Sequence, residues 1–133
     1  MQVVVPLKVS AKEFYDLLIL SLQEELERVN HKKYTEEELS GLRYKKASHA
    51  KGQMVKIHVG KLVKNKRYVN TFSVSQLSTK VIYDLEETGE YSCKVTYTEE
   101  YSKEPKKSLL NPPQRRAKKM LKASEKYIIE HRK

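Results

Sequence analysis

The sequence is poor in cysteine, glycine and proline, and it has no long apolar run. Its 133 residues include one cysteine, four glycines and four prolines. A single cysteine, Cys93, excludes an internal disulfide and favours a reducing compartment, so we expect a cytoplasmic protein. The most apolar stretch, Leu17 to Leu22, is too short to cross a bilayer, and no basic leader precedes an apolar run at residues 1–6. We therefore expect no membrane span and no export signal.

Acidic residues are fewer than basic ones. The chain carries 27 Lys and Arg against 17 Asp and Glu, a formal net charge of +10. Such a surface favours anionic partners, namely nucleic acid, anionic lipid headgroups or acidic proteins, although basic residues also simply keep a small protein soluble. With 38% hydrophobic residues the chain has enough apolar periodicity to fold, and we expect one domain over residues 1–133.

Histidine, cysteine and glutamate, the residue types that usually bind metals or catalyse reactions, do not occur here at the spacing that would bring them together in one site. The four histidines do not recur at the spacing that would bring two imidazoles to one metal on a single element: His31, His49, His58 and His131. Cys93 falls on an apolar strand face, where it is interpreted as a small buried hydrophobe. Adjacent glutamates point in different directions along a helix or strand and form no acid/base pair. We expect no metal, no cofactor and no catalytic residue, with cyclase-like or hydrolase-like activity left open.

Capping signals predict the helices. Ser10 and Glu13 form a capping box, and apolar residues at helical spacing follow to about Val29. Thr35-Glu36-Glu37-Glu38 repeats the capping box for a short second helix that Gly41 ends. Asn111 as cap, with Pro112 at the first helical position, begins a C-terminal helix. Its apolar stripe is Ala117, Met120, Leu121, Ser124, Tyr127, Ile128 and His131.

A hydrophobic period of two predicts strands in the middle of the chain. A first strand, Gln2 to Lys8, contains Pro6 and is therefore expected at a sheet edge or a bulge. The later strands are expected at Leu42 to His49, Gly52 to Val63, Arg67 to Ser75, Thr79 to Glu86 and Glu90 to Tyr101. Between them we expect tight turns at residues 50–52, 64–66, 76–78 and 88–89, so neighbouring strands are antiparallel. One face is apolar: Val55, Ile57, Val59, Tyr68, Phe72, Val74, Val81, Tyr83, Leu85, Tyr91, Cys93, Val95 and Tyr97. The other carries Lys56, His58, Lys80, Lys94, Thr96 and Thr98.

This order of elements resembles the START-like, or Bet v 1-like, helix-grip superfamily, and more closely a small bacterial family of unknown function within it. The resemblance is carried by Val3-Val4-Val5 leading into Ser10 to Leu18, by Val55 to Val59 with Leu62 to Tyr68, by Val81 to Glu86 and by Cys93 to Tyr97. It covers essentially the whole chain.

The resemblance implies an α+β fold in which a curved antiparallel sheet of about six strands wraps around a long C-terminal helix, with two shorter helices after strand 1. It also implies an apolar cavity between sheet and helix. Members of the superfamily bind lipids, sterols, polyketides or plant hormones, and some act as cyclases, aromatases or chaperone activators. With this order of elements, tyrosine-rich apolar strand faces and no catalytic constellation in the sequence, we expect a non-catalytic protein that holds a small hydrophobic or amphipathic ligand between sheet and C-terminal helix.

Tyrosines on the apolar strand face are the first candidates for such a cavity, because each offers a ring and a hydroxyl donor. Tyrosine also favours strands and finishes ordinary cores, so the same residues fit a packed interior. The candidate cavity residues are Phe14, Leu18, Tyr68, Phe72, Tyr83, Tyr97, Met120 and Tyr127.

A basic segment, residues 103–122, supports an alternative function as a binding or adaptor domain for nucleic acid or an acidic protein. Cations in the first turn of a helix oppose its dipole and become favourable when an anion docks there. The same cations also fit a solvated linker and helix face. The candidate anion-binding residues are Lys106, Lys107, Arg115, Arg116, Lys118 and Lys119. An exposed edge at the first strand permits a homodimer as well as a monomer.

Overall fold

Six antiparallel strands form one curved sheet, and two helices pack on one of its faces, in the computed structural model, which describes residues 1–48, 52–103 and 112–132. The strands are β1 (Gln2–Leu7), β2 (Arg43–Ala47), β3 (Met54–Val59), β4 (Arg67–Val74), β5 (Leu77–Gly89) and β6 (Ser92–Tyr101). The helices are α1 (Ala11–Asn30) and α2 (Pro113–Glu130), with a 3-10 turn at Glu36–Glu38. The strand order is β1-β6-β5-β4-β3-β2. Strand β1 is therefore an edge strand that pairs only with β6. Pro6, which has no amide hydrogen, is tolerated on such a strand because one side has no neighbouring strand to bond.

The first helix begins where the capping box predicts. The Ser10 hydroxyl accepts from the Glu13 amide at 3.0 Å, and the Glu13 carboxylate accepts from the Ser10 amide at 2.9 Å. Helix α1 ends one residue beyond the predicted Val29, and His31 closes it in a left-handed conformation with φ 55°. Its buried face packs on the sheet through Phe14, Ile19, Leu22 and Leu26.

The short second helix predicted after α1 is present as a 3-10 helix of three residues. It spans Glu36–Glu38, and Glu38 caps the Thr35 amide at 2.9 Å as expected. Gly41 takes the predicted left-handed conformation, with φ 81°. Five residues separate Thr35 from Gly41, which is too few for the repeating hydrogen bonds of a stable α-helix.

Two predicted turns are displaced. The turn expected at residues 76–78 lies at Ser75 and Gln76, where Ser75 adopts φ 58°, and Leu77 already pairs with Val74. The turn expected at residues 88–89 lies at residues 90–91, so Tyr91 is 58% exposed and not on the apolar face. Gly89 belongs to β5 instead: a Cβ there would lie 2.6 Å from the Ser92 hydroxyl, so glycine permits the close approach of two strands next to a bulge.

Strand and helix limits also differ at several ends. The predicted strand Gly52 to Val63 is shorter in the structure, because β3 ends at Val59 and the chain then turns. Helix α2 begins at Pro113, with Pro112 as the preceding cap residue, which is one residue later than expected. Asn111 and His49 lie outside the described residues.

The core lies between the inner face of the sheet and the two helices. Helix α2 contributes three buried residues, Ala117, Leu121 and Ile128. Its C-terminal end is fixed to the first turn of α1, since the Arg132 guanidinium binds the Glu13 carboxylate through Nε at 2.9 Å and Nη2 at 3.1 Å. The main sheet contribution is Val5, Leu7, Tyr44, Ile57, Val59, Tyr68, Leu85, Cys93, Val95 and Tyr97.

Candidate functional site

Three tyrosines form a row across the inner face of the sheet. Tyr68, Tyr83 and Tyr97 are register partners on β4, β5 and β6. Their rings meet edge to face, with centroids 5.8 Å apart between Tyr68 and Tyr83 and 5.0 Å apart between Tyr83 and Tyr97. Phe14 of α1 approaches Tyr83 at 5.9 Å. The structure therefore brings four of the eight candidate cavity residues into one aromatic cluster, held in place by strand register.

Asn70 is a buried amide beside this cluster that our sequence analysis missed. It is 6% exposed, and its Nδ2 donates to the Tyr68 hydroxyl at 3.1 Å. Its Oδ1 is buried and accepts no hydrogen bond. Buried side-chain acceptors are nearly always paired, so this oxygen is exceptional. The signal was in the sequence: Asn70 falls between Tyr68 and Phe72 on the apolar face of a strand, where a polar residue breaks the alternation.

Tyr83 carries a second weakly satisfied group. Its hydroxyl donates to the Met120 thioether at 3.9 Å, and sulfur is a weak acceptor. Burial raises the pKa of Tyr83 to about 12, with a smaller contribution from the Glu99 carboxylate. The hydroxyl is therefore protonated at neutral pH and can donate to a better acceptor.

Other tyrosine hydroxyls on this face are already engaged by carboxylates. Tyr97 donates to Glu99 at 2.6 Å, and Tyr44 donates to Glu25, which also binds Lys46 at 2.5 Å. Burial first, and then the carboxylate partner, raises the pKa of both tyrosines. For Glu25, burial raises the pKa but the bonds from Lys46 and Tyr44 outweigh it, so the pKa is lowered. Glu25 thus stays ionised and the two tyrosines stay neutral.

An open cleft of about 450 Å³ separates α1 from α2 beyond the Glu13–Arg132 contact. Its lining is mostly apolar and comes equally from the two helices: Leu17, Leu20, Ser21 and Glu24 on α1, with Met120, Ala123, Ser124 and Tyr127 on α2. Met120 lines this cleft and also contacts the Tyr83 hydroxyl. Met120 therefore lies between the cleft and the aromatic row.

The remaining candidate cavity residues lie around this cleft and the core. Leu18 and Phe72 are half-buried and pack against the core cluster. The apolar stripe predicted for the last helix is only partly correct, because Met120 and Tyr127 are 38% and 47% exposed. Tyr127 stacks on His131 with ring centroids 3.9 Å apart instead of meeting the sheet tyrosines. Helix α2 packs against β1, and the Glu125 carboxylate accepts from the amide of Lys8, the residue after that strand, at 2.6 Å.

The candidate anion-binding residues are placed only in part. Lys106 and Lys107 lie outside the described residues. Four exposed cations occupy the first two turns of α2, and none of them contacts a carboxylate within the described ranges: Arg115, Arg116, Lys118 and Lys119. Their role in binding an anion stays a prediction.

Cys93 has the environment of a core residue. It is 1% exposed, and burial, followed by nearby carboxylates, raises its pKa to about 11. A protonated, inaccessible thiol is neither a nucleophile nor a metal ligand at neutral pH. Across residues 1–48, 52–103 and 112–132, no cluster of three or more His, Cys, Asp or Glu side chains has a metal-binding arrangement. Neither α1 nor α2, the two long helices of those ranges, is apolar enough to cross a bilayer.

Comparison with solved structures identifies the fold. The chain is similar to Ara h 8.0201, with a TM-score of 0.60, 12% identity and coverage of 98% of this chain and 97% of that one. It is similar to a START superfamily protein from Mycobacterium smegmatis, with a TM-score of 0.52, 13% identity and coverage of 99% and 94%. It is also similar to DynU16, a protein from the dynemicin biosynthetic locus, with a TM-score of 0.60 and 12% identity. The match covers 98% of this chain but only 47% of DynU16, so this chain spans about half the length of that protein.

These likenesses confirm the helix-grip fold of the Bet v 1-like and START superfamily proteins and, at such low identity, concern the fold alone. No curated protein matches the chain. A family model covers residues 1–112, most of the sequence. The chain belongs to the family described as Domain of unknown function (DUF3284).

Proposed function

We propose that this protein binds a small amphipathic molecule that enters between α1 and α2 and reaches the tyrosine row of the sheet. The observation that carries the proposal is the cleft of about 450 Å³, which only the Met120 side chain, in contact with the Tyr83 hydroxyl, separates from the row. Ligand sites are concave, mostly apolar and supplied with a few placed polar groups. This cleft has that composition, with Ser21, Glu24 and Ser124 among apolar side chains.

The polar part of the ligand is expected to carry both a donor and an acceptor. The Asn70 Oδ1 is an acceptor without a partner, and the Tyr83 hydroxyl is a donor bound only to a thioether. A ligand hydroxyl or amide could donate to the Asn70 Oδ1 and accept from the Tyr83 hydroxyl, and would be a better acceptor for Tyr83 than the Met120 thioether. The apolar body would lie along Leu17, Leu20 and Ala123.

We propose binding without catalysis at this site. General acid/base chemistry at neutral pH needs a group whose pKa lies near 7. The tyrosines of the row and Cys93 have pKa values raised away from 7 by burial, so they remain neutral hydrogen-bonding groups.

A neutral fluorescent probe, N-phenyl-1-naphthylamine, tests the proposal without interference from the basic surface. Wild-type protein is expected to enhance its emission saturably. Ala123→Trp places an indole in the cleft without removing a core contact and should weaken binding by at least about tenfold. Ile129→Trp is the matched control, because Ile129 is an exposed apolar residue on the same helix outside the cleft.

Native mass spectrometry of the purified protein adds an independent measurement, the mass of any retained small molecule. Equal loss of probe binding in both tryptophan variants, with unchanged melting curves, would place the probe elsewhere. Absence of probe binding together with a ligand-free mass would refute the proposed function.

A second candidate function is binding of an anionic partner through residues 103–122. Its support is the pair Arg115 and Arg116, both exposed in the first turn of α2, where positive charge opposes the helix dipole and no carboxylate of the described residues offsets it. Arg115→Ala with Arg116→Ala should then weaken binding to an anionic polymer and flatten its salt dependence. Unchanged binding in this double variant would end the idea.

A further inference from the structure

The outer face of β2 and β3 carries cations that oppose one another across the strands. Lys45 lies directly opposite Lys56 in the antiparallel register, so two ammonium groups share one cross-strand position, and Arg43 lies opposite the His58 imidazole. Like charges placed directly opposite are destabilising. No carboxylate of the described residues forms an ion pair with Arg43, Lys45 or Lys56. The fold thus maintains a repulsive arrangement that its own stability does not require.

The rest of the outer face is neutralised, which makes this cluster distinctive. Arg67 binds Asp84 at 3.2 Å, and Lys94 binds Glu86 at 2.9 Å. Farther along, Lys80 on β5 stands opposite Glu100 on β6. The outward cations of β4, β5 and β6 therefore each face a carboxylate on a neighbouring strand, whereas those of β2 and β3 face none. Uncompensated charge is concentrated at one side of the sheet.

Two shallow depressions run along this charged side. The first, of about 290 Å³, is lined by Arg43, Lys45, Lys56, His58 and Ser73, together with Tyr44 and Ile57. The second, of about 310 Å³, is lined by His58, Gly60, Lys61, Arg67, Val69, Thr71 and Lys80. His58 belongs to both, so the depressions form one track from β2 to β5. Three strand spacings make this track about 14 Å long.

We propose that this track, which we call the outer basic track, binds the phosphate backbone of nucleic acid without reading its bases. Nucleic acid presents one phosphate per strand every ~3.4 Å of helix axis, so a track of this length faces about four phosphates. Four lysines and arginines without a cross-strand carboxylate line it: Arg43, Lys45, Lys56 and Lys61. The hydroxyls of Thr71 and Ser73 lie between them and can donate to phosphate oxygens.

The chemistry of the track favours nucleic acid over an acidic protein as the partner. It also favours contact with the phosphate backbone over recognition of the bases. Protein interfaces depend on buried aromatic and apolar anchors, whereas this track offers cations and hydroxyls. Base recognition in single strands depends on aromatic stacking platforms. On the described parts of β2 to β4, the outward positions carry no Phe or Tyr side chain.

Fluorescence anisotropy of the full chain with a labelled 20-base-pair duplex, measured from 50 to 300 mM salt, tests the proposal. The track variant carries Arg43→Gln, Lys45→Gln and Lys56→Gln. The matched control carries Arg28→Gln, Lys33→Gln and Lys126→Gln, which remove the same charge from the two helices and the residues after α1. In a plot of log affinity against log salt concentration, wild type with about four phosphate contacts should have a slope of about −3.6. The track variant, which keeps about one of these contacts, should have a shallower slope of about −0.9.

The expected outcome is at least tenfold weaker binding for the track variant at 50 mM salt, less than twofold for the control, and equal affinity for duplexes of different sequence. Circular dichroism should show the track variant folded and no less heat-stable than wild type, since it loses a like-charge pair. Equal losses in track variant and control would overturn the proposal, as would a loss found only in Arg115→Ala with Arg116→Ala. Displacement of the duplex by polyglutamate at equal charge concentration would overturn the assignment to nucleic acid.

Discussion

Replacing the buried pair Tyr68 and Asn70 by apolar residues tests why an unpartnered acceptor persists in the core. Tyr68→Phe with Asn70→Leu removes both members of the 3.1 Å hydrogen bond together with the partnerless Oδ1. Substituting both partners by apolar groups of similar shape is close to neutral, whereas a buried unsatisfied group costs about 1–3 kcal/mol. The double variant should therefore be more stable than wild type by about 1–2 kcal/mol.

The two single variants show how much each side chain contributes to the free energy of unfolding. Tyr68→Phe leaves the Asn70 amide with no partner at all, and we expect a loss of about 1–2 kcal/mol. Asn70→Leu removes one unsatisfied oxygen but leaves the Tyr68 hydroxyl without its hydrogen-bond donor. These two effects have opposite sign, so we expect little change in the free energy of unfolding. Such a cycle measures the coupling of two residues in contact.

Urea unfolding followed by circular dichroism is the assay, with the slope against urea checked to be constant so that the midpoint reports stability. A gain of 1–2 kcal/mol corresponds to a rise in Tm of roughly 3–8 °C for a domain of this size. Probe binding in the cleft is expected to survive, but affinity for a hydroxyl-bearing ligand is expected to fall. A double variant less stable than wild type by more than about 1 kcal/mol would refute the reasoning, because Asn70 would then support the fold and not await a ligand.

Three further predictions concern the frame around the site. Ser10→Ala should destabilise the protein by about 1 kcal/mol in urea unfolding, because the α1 capping box loses its hydroxyl acceptor, while Ser10→Gly should cost less. The Arg132 guanidinium lowers the pKa of Glu13 below 4.5, so the stability from this contact is complete above that pH and disappears as pH falls through the folded-state value. Glu13→Gln should flatten the acid side of the stability profile, and an unchanged profile would contradict the contact. Cys93, with a pKa of about 11, should react with a thiol reagent at pH 8 only after denaturant is added; fast labelling of native protein would contradict its burial.

Local sequence signals were sufficient for elements that depend on neighbouring residues. The capping box at Ser10 and the helical apolar spacing predicted α1, because both are interactions within a few residues. Alternation predicted the inner face of β6 at Cys93, Val95 and Tyr97. The turn at Ser75 could not be predicted, since serine seldom adopts φ 58° and register forces it there.

The site depends on contacts that are remote in sequence and was therefore only partly predictable. Tyr68, Tyr83 and Tyr97 were identified as facing inward, but their mutual contact follows from strand register. The cleft lies between α1 and α2, which are joined by the contact of Glu13 with Arg132, 119 positions away in the sequence. The opposition of Lys45 and Lys56 likewise appears only when β2 and β3 are paired in register.

The two proposed sites occupy opposite faces of the same strands. On β4, Tyr68, Asn70 and Phe72 point inward, while Thr71 and Ser73 point to the outer basic track, because successive side chains alternate across a sheet. Coupling between two ligands requires an element with two states that each ligand biases differently. Every strand from β1 to β2 pairs with its neighbours, with one bulge between Glu87 and Gly89, and we expect this sheet to offer no such element among the described residues. The free energies of binding at the two faces should therefore add: the track variant should leave the affinity for N-phenyl-1-naphthylamine unchanged, and Ala123→Trp should leave duplex affinity unchanged.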